Sequence, residues 1–142
     1  RTYVALVEGK FAQKEGQITS WLTENPHTAM VSSSPVDNGG QLAITHYKVL
    51  QELDSGVESP DSEISLVELN LETGRTNQIR VHMASVGHPV VGDRKYGHGN
   101  ESSPIDRLCL HAKVLEFIHP MTEKKVRFEA AMPKEFTLLL RN

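Results

Sequence analysis

Residues able to do chemistry concentrate in one stretch, "ETGRTNQIRVHMASVGHPVVGD", from Glu72 to Asp93. Arg75 and Arg80, His82 and His88, and the amide pair Asn77–Gln78 stand there around a short apolar repeat with three glycines. A core needs no such density of recognition groups, whereas paired arginines suit carboxylates or phosphates. Arg75 follows Thr73-Gly74 at an expected helix start, where free backbone N–H groups favour anions. The local alternative is an arginine that merely terminates a strand. Arg80 falls about a quarter turn from the line Ile79–Met83–Val86, at the margin of the buried stripe, with Asn77 on its polar side. An arginine at that margin either snorkels to water or is drawn inward by a carboxylate or phosphate. Taken alone, the usual exposure of arginine favours snorkelling.

The other candidates are weaker. His82 and His88 are six apart across an expected helix end, which fits no standard zinc pattern, and Cys109 has no partner cysteine, so no metal is expected. His111 and His119, on a strand and a turn, suit structural roles. Ser85, His82 and Asp93 supply the residue types of a hydrolase triad, but no nucleophile elbow surrounds the serine. Gly97-His-Gly99 lacks the spacing and trailing lysine of a phosphate loop. Tyr3, in the first strand-like segment, reads as core with its hydroxyl at an edge.

Elements must position these groups. Arg75 to Val86 is the clearest helix, with Ile79, Met83 and Val86 on one face and Gly87 as its stop. Thr2 to Val7 reads as a buried strand, and Gln17–Leu22 and His27–Val31 as short strands around an Asn25-Pro26 turn. Ser32 to Gly40 is a loop by composition. Leu42, Ile44, Tyr47 and Val49 alternate with a phase slip near Thr45, and Ile64 to Leu71 slips at Leu66-Val67; such slips predict bulges or strong twist in an antiparallel pair. Asp54 to Ser62 and Gly97 to Pro104 read as loops. Leu108–Ile118 and Lys125–Ala130 form a hairpin across a turn at His119–Glu123, and Pro133 to Leu140 a short terminal helix. The sum is one α+β domain: a mixed, mostly antiparallel sheet with few helices.

Composition narrows the classes. The chain has 142 residues, 38% of them hydrophobic, and no run approaches the ~20 apolar residues of a membrane span, so no membrane partner is expected. Its single cysteine excludes an internal disulfide framework and suits a reducing, intracellular compartment. The net charge of −3 is unevenly spread. Residues 1–71 carry four Lys/Arg against ten Asp/Glu, and residues 72–142 carry eleven against eight with five of the seven histidines. A polyanion would meet a local patch in the second half, although ordinary charge scatter accounts for the imbalance equally well.

The segment "LETGRTNQIRVHMASVGHPVVGDRKYG", Leu71 to Gly97, resembles the signature of the RluA-type pseudouridine synthases, L-x-T-G-R-x-H-Q-I-R-x-H followed by G-x-P-V-x-G-D and Y-G. "RTYVALVEG" resembles the segment carrying that family's active-site tyrosine, "AITHYKVL" the strand after it, and Arg107 to Phe136 the closing hairpin and its Pro-x-Glu-Phe end. Asn77 departs from the pattern, standing where the family usually has histidine, so a proton-linked role does not carry over; asparagine still orients a neighbour by hydrogen bonding. The resemblance implies an RNA-modifying isomerase acting on uridine in rRNA or tRNA, with no cofactor and no metal. It assigns catalytic roles to Tyr3 and Arg80 and substrate contacts to Ile79, Arg75 and Asn77.

The family's catalytic aspartate belongs to an H-R-L-D-x-x-T-S-G segment upstream of the tyrosine strand, and these 142 residues contain no such segment. The resemblance therefore implies the C-terminal portion of a synthase domain, inactive alone. A non-catalytic RNA-binding relative that lost the aspartate is the alternative. Arg80, expected to pair with that aspartate, must in its absence turn to solvent, recruit Asp93 or Glu72, or take an anion. The uncovered strand edge also predicts self-association.

Overall fold

A computed structural model of the chain describes residues 1–54, 63–97, 110–118 and 125–129. Seven strands make one sheet: β1 (Thr2–Glu8), β2 (Glu15–Glu24), β3 (Val31–Ser34), β4 (Gln41–Asp54), β5 (Glu63–Leu71), β6 (Leu110–Ile118) and β7 (Lys125–Glu129). Their order is β3-β2-β4-β5-β1-β6-β7, and every pairing among the described strands is antiparallel. The described helix, α1 (Gln78–Ser85), follows β5. The mostly antiparallel α+β architecture expected from the sequence is the one observed, as is the β6–β7 hairpin.

β1 and β5 occupy the middle of the sheet, which explains why they read as apolar runs and do not alternate. Val4, Ala5, Leu6 and Val7 are all fully buried, as are Val67 and Leu69. The odd residues of β1 and the matching side of β5 face α1: Ala5, Val7, Val67 and Leu69 form one cluster with Ile79 and Met83, onto which Tyr3 and Leu71 pack. A second cluster joins Leu22, Val31 and Ala43 to Val81 of the helix. Helix α1 thus packs against β3 and β4 as well as β5 and β1, and its first turn shares a surface with the start of β1.

Several expectations are corrected. The helix starts at Gln78 and not at Arg75, because Asn77 adopts a left-handed conformation (φ 56°, ψ 22°) that the preceding turn requires and a helix cannot contain. Val86 is 42% exposed; the buried face is Gln78, Ile79, Val81, His82 and Met83, so it is partly polar. His27 to Met30 is a turn, not a strand. Asn25 Oδ1 accepts the N–H groups of His27 (2.8 Å) and Thr28 (3.2 Å), and Ala29 is left-handed at φ 58°. The strand instead begins at Val31 and takes in Ser32–Ser34, which composition had assigned to a loop. No slip occurs at Thr45; β4 keeps Ala43 and Thr45 buried on one face. The irregularity falls between Val49 and Gln51, opposite Val67 and Leu66, where the phase of β5 slips. The readings over 55–62, 98–109, 119–124 and the terminal helix at 133–140 lie outside the described residues.

Candidate active-site cleft

Beside the first residues of β1, a cleft of about 200 Å³ is lined by Arg1, Tyr3 and Leu71, by Asn77 to Arg80, and by Gly74, Arg75 and Leu110. All five residues assigned a role by resemblance (Tyr3, Arg75, Asn77, Ile79 and Arg80) line it together. Three arginines and no carboxylate stand among the described lining residues, which give it a positive field. Drug-sized ligands occupy sites of about 300–1,000 Å³, so a space of this size suits a single small ring.

Tyr3 is fixed by the sheet, its backbone opposite Leu69 on one side and Ala112 on the other. The β1–β6 register shifts between Thr2 and Tyr3, so β6 carries one more residue than β1 over this step. Ile79, 5% exposed, joins the core and forms the apolar wall. Arg75 does not cap a helix. It sits in the turn before α1, where its Nε donates to the Leu42 carbonyl at 3.0 Å and its backbone N–H to Gln78 Oε1 at 3.0 Å.

Arg80 is drawn inward by a carboxylate. Its Nε donates to Asp93 Oδ2 and its Nη2 to Asp93 Oδ1, both at 2.9 Å, while Nη1 reaches Asn77 Oδ1 at 3.4 Å. The Arg80 side chain is 22% exposed and that of Asp93 fully buried. Of the three outcomes expected for Arg80, a bond to Asp93 is the one the structure shows; Glu72 is engaged by His46. Burial pushes the Asp93 carboxyl up, but the hydrogen bonds from Arg80 and from the Tyr96 and Lys95 backbone outweigh it and hold it below the ordinary value. The bond to Asp93 likewise raises Arg80, against the opposing effect of burial. The Tyr96 ring lies 5.2 Å from the guanidinium carbon, and its hydroxyl accepts from Asn77 Nδ2 (3.4 Å) and from the Val31 N–H (3.1 Å).

Behind the cleft runs a buried polar network that the sequence reading missed. Gln78, 2% exposed, accepts from Thr73 Oγ1 (2.7 Å) and the Arg75 N–H, and donates to the Ile44 carbonyl (3.0 Å) and Thr45 Oγ1 (2.9 Å). It thereby staples the 72–77 turn to β4. His82, fully buried, places Nδ1 2.7 Å from Thr45 Oγ1 and Nε2 2.8 Å from Ser20 Oγ. Burial lowers its pKa to about 4, so it is neutral at pH 7. A usable signal existed: Gln78 and His82 are four apart, hence on one helical face.

His82, His88 and Ser85 turn to separate partners. Ser85 donates to the His82 backbone carbonyl at 2.7 Å, away from the ring, and His88 Nδ1 donates to the Glu8 carbonyl at 2.8 Å while its ring stacks on Phe11. Among the described residues no group of three His, Cys, Asp or Glu side chains is arranged to hold a metal ion, and no helix is long and apolar enough to cross a membrane.

Comparison with known proteins bears on this geometry. Residues 1–85 match the family model described as RNA pseudouridylate synthase. The chain is 43% identical over 142 residues to the uncharacterized RNA pseudouridine synthase YhcT of Bacillus subtilis (strain 168), covering 99% of this chain and 43% of that protein. It is 36% identical over 148 residues to the ribosomal large subunit pseudouridine synthase D of Zymomonas mobilis, covering 99% of this chain and 44% of the relative. The chain therefore spans less than half the length of these curated relatives. Among solved structures, human RNA Pseudouridylate Synthase Domain Containing 1 superposes with a TM-score of 0.77 at 28% identity, over 93% of this chain and 54% of that one.

Proposed function

The chain belongs to the RNA pseudouridylate synthase family, and from that membership we propose that it is the C-terminal portion of a catalytic domain converting uridine to pseudouridine in structured rRNA or tRNA. The observation carrying this reading is the convergence of Tyr3, Ile79 and Arg80 on one positive cleft. Isomerisation breaks the C1′–N1 glycosidic bond, turns the uracil and rejoins it through C5, with the proton lost from C5 balanced by one gained at N1. The target nucleotide must leave its stack to reach such a cleft.

In this mechanism Tyr3 stacks on the extruded uracil and assists removal of the C5 proton. Ile79 walls the ring. Arg80 pairs with the aspartate that acts at the sugar and keeps it ionised, as a neighbouring guanidinium does for a carboxylate. Arg75 follows the RNA phosphates, and Asn77 orients Arg80. The chemistry calls for no metal and no organic cofactor, and an RNA substrate places the protein inside the cell.

The test compares this chain with the same chain extended upstream through an H-R-L-D segment. Each is incubated with unmodified transcripts of rRNA and tRNA, and the nucleosides are separated by chromatography. The chain alone is expected to yield no pseudouridine and the extended protein to yield it. RNA binding by the extended protein without any product would favour the non-catalytic relative.

A further inference from the structure

Arg80 makes its contact with Asp93 in a particular way. Nε and Nη2 form the side edge of a guanidinium, and both go to the two oxygens of Asp93 at 2.9 Å. That leaves the end edge, formed by the second Nη2 proton and the Nη1 group, of which, among the described residues, only Nη1 has a partner, the long 3.4 Å approach to Asn77 Oδ1. Arg80 lines the cleft whereas Asp93 and Tyr96 do not, so the covered edge points into the protein and the open edge toward the cavity. We propose that Asp93 is a positioning residue, holding Arg80 side-on so that its end edge receives a second anion: the carboxylate that acts on the sugar. This deepens the proposed function and rests on it.

Asp93 is built to stay put. Its side chain is fully buried, and Oδ1 also accepts the N–H groups of Lys95 (3.0 Å) and Tyr96 (3.1 Å). Its own N–H donates to Val90 at 3.1 Å, and the chain just before it joins the sheet through the Val7–Val90 bridge and the bond from the Val91 N–H to the Leu6 carbonyl (2.8 Å). The same strand, β1, carries Tyr3. Asp93 therefore transmits the position of β1 to Arg80, so that tyrosine and guanidinium keep one spacing. Tyr96, held by the same turn, closes the guanidinium face, and Asn77 approaches its far nitrogen. A guanidinium clamped in this way loses little freedom when a second carboxylate arrives. A lone arginine at the helix margin would have to be ordered at that moment.

The experiment uses the upstream-extended protein for turnover and the chain itself for spectroscopy. Asp93→Asn keeps an oxygen for the Lys95 and Tyr96 N–H groups but removes the charge and one acceptor facing Arg80. Its kcat is expected to fall at least thirtyfold, with KM for the RNA within about threefold of the parent. In an Arg80→Met background the same substitution should slow turnover no further, since Asp93 acts only through Arg80. A folded Asp93→Asn protein with kcat within threefold of the parent, or a further tenfold loss in the Arg80→Met background, overturns the proposal. Should Asp93→Asn not fold, Asp93→Glu keeps the charge but misplaces the side edge, and the same two comparisons apply. In the chain alone, inorganic phosphate should shift the Arg80 Nη signals while its Nε–H stays protected. Phosphate that releases the Nε–H shows the edges to be wrongly assigned, whether or not the extended protein makes pseudouridine; absence of product from the parent, with these signals as expected, defeats the activity and leaves the two-edge geometry standing.

Discussion

Gln78 and His82, one turn apart on α1, meet at the same hydroxyl: Thr45 Oγ1 lies 2.9 Å from Gln78 Nε2 and 2.7 Å from His82 Nδ1. Ser20 Oγ, which takes a hydrogen bond from Ser33, occupies the other ring nitrogen of His82. Each hydroxyl already accepts one bond. In the neutral ring one of these hydroxyls donates to the bare nitrogen; protonation would oblige that hydroxyl to accept instead and strand its proton in a dry interior, which adds to the effect of burial.

Acid should therefore weaken the fold through His82. Its folded pKa of about 4 lies below the unfolded value near 6.5, so the unfolded chain binds the proton first. The stability it confers is complete above about pH 6.5 and drains away as pH falls toward 4. Between pH 7 and pH 4.5 the loss should be about 2 kcal/mol. Urea unfolding of the chain and of His82→Gln at both pH values checks this. Equal pH dependence in the two proteins would show that His82 does not titrate as argued.

Gln78→Met should cost about 2–4 kcal/mol, because it strands the Arg75 N–H and the Thr73 hydroxyl proton and takes one hydrogen bond each from Thr45 Oγ1 and the Ile44 carbonyl. Gln78→Glu is expected to be no milder. It keeps the acceptor but turns a carboxylate toward the Ile44 carbonyl. Amide exchange at Arg75 should quicken in Gln78→Met, which removes its acceptor, reporting release of the 72–77 turn. Unchanged exchange would mean the turn is held by something other than Gln78.

The elements that were legible in the sequence owe that to position in the sheet. β1 and β5 are central and apolar, and the β6–β7 hairpin carries its alternation openly. Two of the failures share one cause: a polar side chain replaced a water or backbone partner that periodicity cannot see. Asn25 closed a turn on its own backbone and displaced a strand. Gln78 and His82 were buried against Ser20 and Thr45, which turned the helix face away from Val86. The cleft residues were legible by family resemblance. The Arg80–Asp93 contact joins residues thirteen apart through a turn, so it appeared only as one of several outcomes.

Asn77 offers a separate test of backbone strain. At φ 56° a β-branched residue pays for the left-handed region, and Asn77→Val should lose about 1–3 kcal/mol. Asn77→Gly accepts the same dihedral angles and should cost less, losing only the weak contacts to Tyr96 and Arg80. Thermal melting of both variants ranks them, and a valine variant as stable as the glycine one would show that the turn has another way to form.

The final prediction concerns Arg80 in the chain as it stands. Arg80→Met leaves the Asp93 carboxylate buried with only the Lys95 and Tyr96 N–H groups on Oδ1. Breaking a buried pair costs about 3–5 kcal/mol; the residual exposure of Arg80 and those backbone bonds should place this loss at about 2–3 kcal/mol near pH 7. The sign with pH follows from the depressed carboxyl. In the parent, the pair contributes above the unfolded aspartate value of about 3.9 and is lost as pH falls through the lower folded value. In the variant the Asp93 pKa should rise instead, so that acid neutralises a charge the fold no longer pairs. The stability gap between the two proteins should therefore narrow below about pH 4. Asp93→Asn added to Arg80→Met should recover part of the loss at pH 7, because an amide leaves no unpaired charge. Denaturant midpoints at pH 7 and pH 3.5 decide the matter: a gap that stays constant, or a double variant no firmer than Arg80→Met, would mean that lost packing of the arginine stem and not the stranded carboxylate carries the cost.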